Sequence, residues 1–391
     1  MAQEYSAPTN RWAIAAFFTV NGFIMGAWAP QIPLLLTRHS ISESVLGLLI
    51  LCLGLGAVGA MLYSGRLIAA YGSARVATGF ALAATPMLAL VVHAQSLWLL
   101  APFMALMGAV IGCMDVSMNA NAVVVERRLG RAIMSSSHGF WSLGGFVGGA
   151  GGAWLIAHIG AERQSLIVAG VSLLLIVGAM RFVMLDMPAP RAATENRAPK
   201  TKLIARDAGL WILGAMALFS MVPEGAVLDW AAIYLSKELN AGVFASGLGF
   251  AFFAGTMAIM RFAGDSVRNR YGAVKTLRVS AALGALGLAI GGLAPTAPIA
   301  ILGFAISGLG VANMVPILFS AAGNRPGLPA GVGISTVTMV GYTGILVAPA
   351  SIGFVAEHVG YRATYLTLAI VLGVVGMMAA RVAAADDLQR G

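Results

Sequence analysis

Gly65-Arg66-Leu67-Ile68-Ala69-Ala70-Tyr71-Gly72-Ser73-Ala74-Arg75 separates two long apolar stretches, and its Tyr71-Gly72 returns as Tyr271-Gly272. The same offset holds elsewhere. His158-Ile159-Gly160 returns as His358-Val359-Gly360, and Gly108, Met114 and Gly144 return as Gly308, Met314 and Gly344. One register therefore runs from the second apolar stretch of each half to the fifth. Soluble repeat proteins have periods of about 20 to 50 residues. A half-chain period in so apolar a sequence points instead to two related membrane-embedded halves with a site between them.

The chain has 391 residues, 59% of them hydrophobic and 10% charged, and a mean hydropathy of +0.87. Soluble domains sit near about 45–50% apolar and about 25% charged, so bilayer rules apply. The alternation of a barrel strand is absent and the apolar runs are long, which leaves helices as the spans. The net charge of +9 does not imply nucleic acid, because the basic residues fall in short loops on alternate sides of the spans. Cys52 and Cys113 lie inside apolar runs and suggest neither a disulfide nor a metal site. Ten mostly polar residues precede Arg11 and a long span, so no cleavable leader is expected. No metal or other cofactor is expected, and no phosphate loop of the Gly-x-x-x-x-Gly-Lys type argues for direct use of ATP.

Twelve spans are expected: 12–36, 44–70, 76–93, 97–125, 133–157, 164–185, 209–235, 243–264, 274–292, 297–322, 331–356 and 361–381. With the N-terminus in the cytoplasm, only Arg38, Arg163, Lys237 and Arg362 of the 24 basic residues fall outside. That asymmetry places both termini inside. Residues 186–208 form the one long loop, with Pro188, Pro190, Pro199 and a basic run, and read as a flexible linker. It divides a first half, 1–185, from a second, 209–391. Gly22 and Gly26, Gly108 and Gly112, and Gly144, Gly148 and Gly152 lie four apart, a spacing that lets helix backbones pack closely.

Twelve spans, a 6+6 repeat and a basic central loop resemble the major facilitator superfamily. The 65–75 stretch is similar to that superfamily's cytoplasmic signature of Gly, a later Asp, then Gly and basic residues. Ala69 stands where the Asp is expected, whereas Gly264-Asp265 through Arg270-Tyr271-Gly272 keeps an acid. The resemblance implies that Arg66, Arg75, Arg261, Asp265 and Arg268 latch the halves together on the cytoplasmic side. Asp115-Val116-Ser117-Met118-Asn119 resembles the acid-x-x-x-Asn signature of the fucose:proton symporter branch, which ties Asp115 to proton coupling. Glu224-Gly225-Ala226-Val227-Leu228-Asp229-Trp230 resembles a set of bacterial inner-membrane permeases near that branch.

Carboxyl groups inside a bilayer are costly and tend to face a cavity or a partner. Asp115 lies past the middle of the fourth span, with Asn119 one turn on and on the same face. The amide can bond the acid in either protonation state. The competing reading is an acid locked to an arginine or capped by hydroxyls. Glu224 follows Pro223 near the middle of the seventh span, where proline is expected to kink or open the helix. Asp229 points about 140° from Glu224 and reads as a gate or a structural pair. Asn21, Met25, Trp28 and Gln31 form a polar and aromatic stripe on the first span. His138, Trp141, Trp230, Asn313 and Tyr342 complete the candidate substrate-binding set, with Asn119. Amides and indoles suit a polar organic solute. The alternatives are an interface belt for the tryptophans and helix-to-helix bonds for the amides.

These features point to a proton-coupled importer of a small polar organic solute, sugar-like or an organic acid, working as a monomer in a bacterial inner membrane. The alternative is a proton-driven exporter of amphipathic compounds. Exporters of the family follow the last glycine of the fifth span with proline, and here Ala153 follows Gly152. An enzyme or a sensor is not expected: no nucleophile set, metal cluster or extra domain stands out.

Overall fold

The computed structural model describes residues 6–129, 133–186, 207–325 and 330–389. Within them the chain is all-helical. The first half comprises α1 (Ala7–Trp28), α2 (Ile32–His39), α3 (Glu43–Tyr71), α4 (Ser73–Ala84), α5 (Met87–Val92), α6 (Leu97–Leu129), α7 (Met134–Ile159) and α8 (Ala161–Met180). The second comprises α9 (Ala208–Lys237), α10 (Val243–Tyr271), α11 (Ala273–Leu293), α12 (Ala297–Val311), α13 (Met314–Gly323), α14 (Ala330–Val359) and α15 (Tyr361–Met377). Eleven helical segments are long and apolar enough to cross a membrane, and α14 holds the twelfth position with the apolar stretch Val347–Val359. Most of the 186–208 linker lies outside the described residues.

Each half is a bundle. In the first, α1 packs on α7 and α3 on α6; in the second, α9 packs on α14 and α11 on α12 and α15. The bundles meet along two seams, α7 against α10 and α3 against α14. The repeated glycines end matching helices. Gly72, Gly272, Gly160 and Gly360 have φ of 84°, 77°, 89° and 85°, with ψ near extended. That combination is essentially restricted to glycine. The motif that reveals the repeat is thus the turn between adjacent spans.

The glycine ladders behave as their spacing implies. A Cβ at Gly144 or Gly148 would strike the carbonyls of Thr19 or Phe23, and one at Gly22 would strike that of Trp141. The backbones of α1 and α7 are in contact, where close packing substitutes for a hydrophobic driving force that lipid does not supply.

Three irregularities depart from the expected spans. The third span breaks at Thr85-Pro86 and the tenth at Ala312-Asn313, whereas α9 runs without interruption through Pro223. The expectation that Pro223 opens the seventh span is therefore corrected: an α-helix tolerates the missing donor there. The missing acid of the 65–75 stretch is supplied from afar. Asp186 accepts the backbone N–H groups of Ser73 and Ala74 at 2.8 and 3.0 Å and caps α4 where Ala69 cannot.

Candidate functional site

A polar network lies on α6, α7, α9 and α10, across the seam between the halves. Asp115 and Arg261 each follow the first residue of their helix by eighteen positions, about 27 Å at helical rise, so they lie at similar depth. The Asn119 amide donates to the Asp115 backbone carbonyl at 2.9 Å and to its carboxylate at 3.3 Å. With the amide nitrogen so used, its oxygen faces His138 Nε2 at 3.2 Å. An amide oxygen only accepts, so Nε2 carries the proton in this arrangement. Phe18 packs edge-on against the His138 ring, 5.3 Å between centroids. Among the described residues no cation pairs with Asp115. The reading in which an arginine locks this acid is thereby removed.

One turn along α7, Trp141 Nε1 donates to Asn21 Oδ1 at 2.8 Å, and Asn21 donates to the Ile111 carbonyl at 3.4 Å. Asn21 therefore ties α1, α6 and α7 together. Next to Trp141, Ser142 accepts from Arg261 Nη1 at 2.7 Å. Arg261 belongs to the other half. Its Nη2 reaches Glu224 at 3.4 Å, a loose ion pair whose side chains are 16% and 30% exposed. The guanidinium lies 6.0 Å from the Trp141 ring centroid, at the edge of cation–π range, and the Ser135 hydroxyl donates to the Arg261 carbonyl at 2.7 Å. Arg261 thus joins the halves through Ser135 and Ser142 of α7, three residues before its span Val243–Gly264 ends, and pairs with Glu224 within its own half.

The other candidates separate. Gln31 is buried, donating to the Ala161 carbonyl at 2.9 Å and to Gln164 at 2.6 Å, which anchors the turn after α1 to α8. Asn313 donates to the Met260 carbonyl at 3.2 Å, at the break in the tenth span. Trp28 and Trp230 are fully buried, and the Nε1 of each has no hydrogen-bond partner among the described residues. A buried donor left unsatisfied costs about 1–3 kcal/mol. The 3₁₀ turn Ala29–Gln31, directly after Trp28, lies against α9, which carries Trp230. The Tyr342 and Asp265 side chains lie outside the described residues.

Of the expected latch, Arg66 lies over its own helix's Tyr63, 5.5 Å from the ring centroid, and Arg75 is exposed. Arg268 bonds Ser320 and the Ala385 carbonyl at 2.8 and 2.7 Å, within its own half. None of the three reaches across. Polar contacts between the halves also close the opposite face, the far face, which lies away from the termini. Lys237 at the end of α9 pairs with Glu43 at the start of α3 at 2.5 Å. Glu357 of α14 accepts the Ser44 N–H at 2.8 Å and also the Ser44 hydroxyl. Within the second half, the Trp230 indole lies so close to Gly353 of α14 that a Cβ there would meet it at 2.6 Å. A groove of about 220 Å³, lined by Leu34, Thr37, Lys237 and Val243 among others, lies between the halves on this face. Sequence reasoning missed this closure; its one signal is that Glu43 and Lys237 end their spans on the same side.

Residues 13–332 match the Major Facilitator Superfamily as a protein family. The chain belongs to the major facilitator superfamily. It is 34% identical over 359 residues to an uncharacterized MFS-type transporter of Yersinia pestis, covering 91% of each chain. It is 32% identical to an uncharacterized transporter of Sinorhizobium fredii, covering 94% of this chain and 96% of that one. Among solved structures it resembles a D-xylose-proton symporter, with a TM-score of 0.72, 12% identity and 95% and 96% of the two chains covered; at that identity the likeness speaks for the fold. The protein is a multi-pass membrane transporter, not an enzyme.

Proposed function

We propose that this transporter couples uptake of a small polar organic solute to protons, by alternating access about the α7–α10 and α3–α14 seams. The observation that carries the reading is the network spanning the seam: an acid with only neutral partners in one half, and an arginine from the other half bonded to both Ser142 and Glu224. An acid without a counter-ion can gain and lose a proton without breaking an ion pair. Glu224 is the second proton-coupling carboxyl. Protonating it releases one arm of Arg261, and the arm released is the one that does not hold the halves together.

Asn21, Trp28, Asn119, His138, Trp141, Trp230 and Tyr342 are the solute-facing candidates, while Gln31 and Asn313 position their helices. Indole and amide groups around a guanidinium–carboxylate pair suit a solute with several oxygens, sugar-like or an organic acid. The bias of basic residues supports a bacterial inner membrane with both termini on the cytoplasmic side; on that reading the far face is periplasmic. The fucose:proton symporter branch is the subgroup that the Asp115–Asn119 pair suggests. No proline interrupts α7, so the exporter alternative gains nothing from the structure.

Proteoliposomes with an internal pH dye test the proposal, using a panel of sugars, polyols, small acids and amphipathic cations. Solute-dependent acidification that Asp115→Asn abolishes, with counterflow retained, is the expected result. Alkalinisation with hydrophobic cations would establish export instead, and counterflow without any proton flux would make the protein a facilitator.

A further inference from the structure

A furrow of about 220 Å³ runs between α9 and α15, within the second half. Ile212, Met216 and Phe219 line it from α9, and Val371, Val375 and Met378 from α15 and the residue just past it. In each set the spacing is four and then three, so each is a single helical stripe. Every lining side chain is apolar, and none of them can orient a polar solute. Ile212 follows the first residue of α9 by four positions and Phe219 by eleven, about 6 and about 16 Å at helical rise. In a hydrocarbon core of about 30 Å the furrow therefore lies in the leaflet on the termini face. Phe219 and Val374 on its rim are exposed, so it opens sideways toward the bilayer.

The chain past α15 sets a cation at the mouth of the furrow. Met378–Gln389 is a 3₁₀ segment, in which side chains three apart eclipse one another. Ala379, Val382 and Ala385 are buried and form its packed face, and Arg268 holds the Ala385 carbonyl at 2.7 Å. Arg381 therefore stands in line with Met378, over the end of the furrow. It is exposed and, among the described residues, makes no hydrogen bond and no ion pair. Trp211, next to Ile212 at the same end, is exposed as well, and indoles favour the depth of the lipid headgroups. The first half does not repeat the arrangement. Arg181 matches Arg381 in the repeat, but its guanidinium lies over Phe182, 5.9 Å from the ring centroid, and Gly178 stands where Met378 does.

An apolar slot within one leaflet, with a guanidinium free of partners and an indole at its mouth, fits an acyl chain joined to an anionic head. We propose that the furrow binds a single anionic phospholipid of the termini-face leaflet, with one acyl chain between α9 and α15 and the phosphate on Arg381. A phosphate can take the guanidinium fork in two parallel bonds. A zwitterionic lipid brings the same phosphate, but its ammonium is repelled by the arginine, so the anionic class is preferred. Bound there, the lipid braces the termini-face half of α9, and the same helix runs on to Glu224. The site is separate from the solute site and does not depend on how solute and protons are coupled.

The full chain, purified in mild detergent, is titrated with phosphatidylglycerol or with phosphatidylcholine of the same acyl chains, and bound lipid is counted by native mass spectrometry. The expected result is one phosphatidylglycerol held in preference to phosphatidylcholine. Arg381→Gln should weaken it about fivefold, the share of one cation at an anionic lipid surface, while Arg181→Gln, the matching residue of the first half, leaves it unchanged. Ala215→Phe, which fills the furrow from α9, should remove the site for both lipids. A phosphatidylglycerol with a photoreactive group on its acyl chain locates the site, with adducts expected within 212–219 and 371–378. Equal binding of the two lipids overturns the proposal, as does a preference that Arg381→Gln leaves intact. Adducts spread evenly over the lipid-facing helices would mark ordinary solvating lipid, and a dimer that covers the furrow in place of lipid would make it a contact between copies; either result overturns the proposal. Should Arg381→Gln not fold, the preference and the adduct map of the native chain still decide. Absence of solute-driven proton flux would end the symport reading and leave these readouts standing.

Discussion

In the register of the repeat, the two halves carry different side chains at matching places. Asp115 corresponds to Val315, Asn119 to Phe319, His138 to Thr338 and Trp141 to Gly341, while Arg261 corresponds to Met61. The turns, by contrast, agree: Gly72 and Gly272 differ by only a few degrees in φ, as do Gly160 and Gly360. The shared residues make the frame, and the unshared ones make the site. The first half supplies Asp115 with the Asn119 amide, whose oxygen meets His138. The second supplies the guanidinium that reaches across. A symmetric frame can then rock about its seams while the chemistry stays on one side of each.

The strongest way to break that division is Arg261→Met, which gives the second half the first half's residue. It removes the bond to Ser142 and strands Glu224. Hydrogen bonds to charged groups contribute about 1.5–3 kcal/mol each, so counterflow of the transported solute should fall by about a hundredfold. Arg261→Lys keeps the charge but not the fork that serves two partners, and should fall between. If Arg261→Met transports normally, the bridge is incidental.

Much of the frame was legible because glycine and hydropathy report on it locally. Gly72 and Gly160 mark turns that only glycine makes readily, and the ladders in the first, fourth and fifth spans mark backbone contacts. The site was legible only in part. Asp115 and Asn119 are four apart on one helix, so their contact follows from the sequence. Arg261 was legible only as part of a signature; its partners Ser142 and Glu224 lie 119 and 37 residues away. Asp186 caps a turn 113 residues away, and Lys237 meets Glu43 across 194. No local pattern encodes such pairs. Pro223 misled for a different reason: α9 runs on through it, whereas the tenth span breaks at Ala312-Asn313, where Pro316 one turn on has no N–H to give the Ala312 carbonyl.

A smaller effect probes the frame. Gly148 corresponds to Ala348, so Gly148→Ala again swaps one half's residue for the other's. A methyl there strikes the Phe23 carbonyl, and the neighbour is backbone, which cannot rotate away. Overpacking of this kind costs about 1–3 kcal/mol. The midpoint of thermal unfolding in detergent should drop. An unchanged midpoint would mean that α1 and α7 can part without loss, and the close seam would then be a feature of this conformation alone.

The smallest effect concerns the termini face of the second half, where Asp207 caps α9. Its carboxylate accepts the Leu210 N–H at 2.9 Å and pairs with Arg325, also at 2.9 Å. The backbone N–H first, and the guanidinium after it, hold this carboxyl below the usual range. A depressed acid stabilises the folded chain above its unfolded value, about 3.9 for Asp. That contribution disappears as pH falls through the lower folded value. Thermal stability should therefore decline on acidification below about pH 4, and Asp207→Asn should flatten part of the decline while changing little at neutral pH, because Asn caps nearly as well. Solvent screens the pair, which limits the effect. The first half closes its own corner with Asp186 on Ser73 and Ala74, through backbone N–H groups and, among the described residues, no cation. Added salt should therefore weaken the Asp207 contribution and spare that of Asp186, and equal sensitivity of the two would show that the arginine adds nothing to the cap.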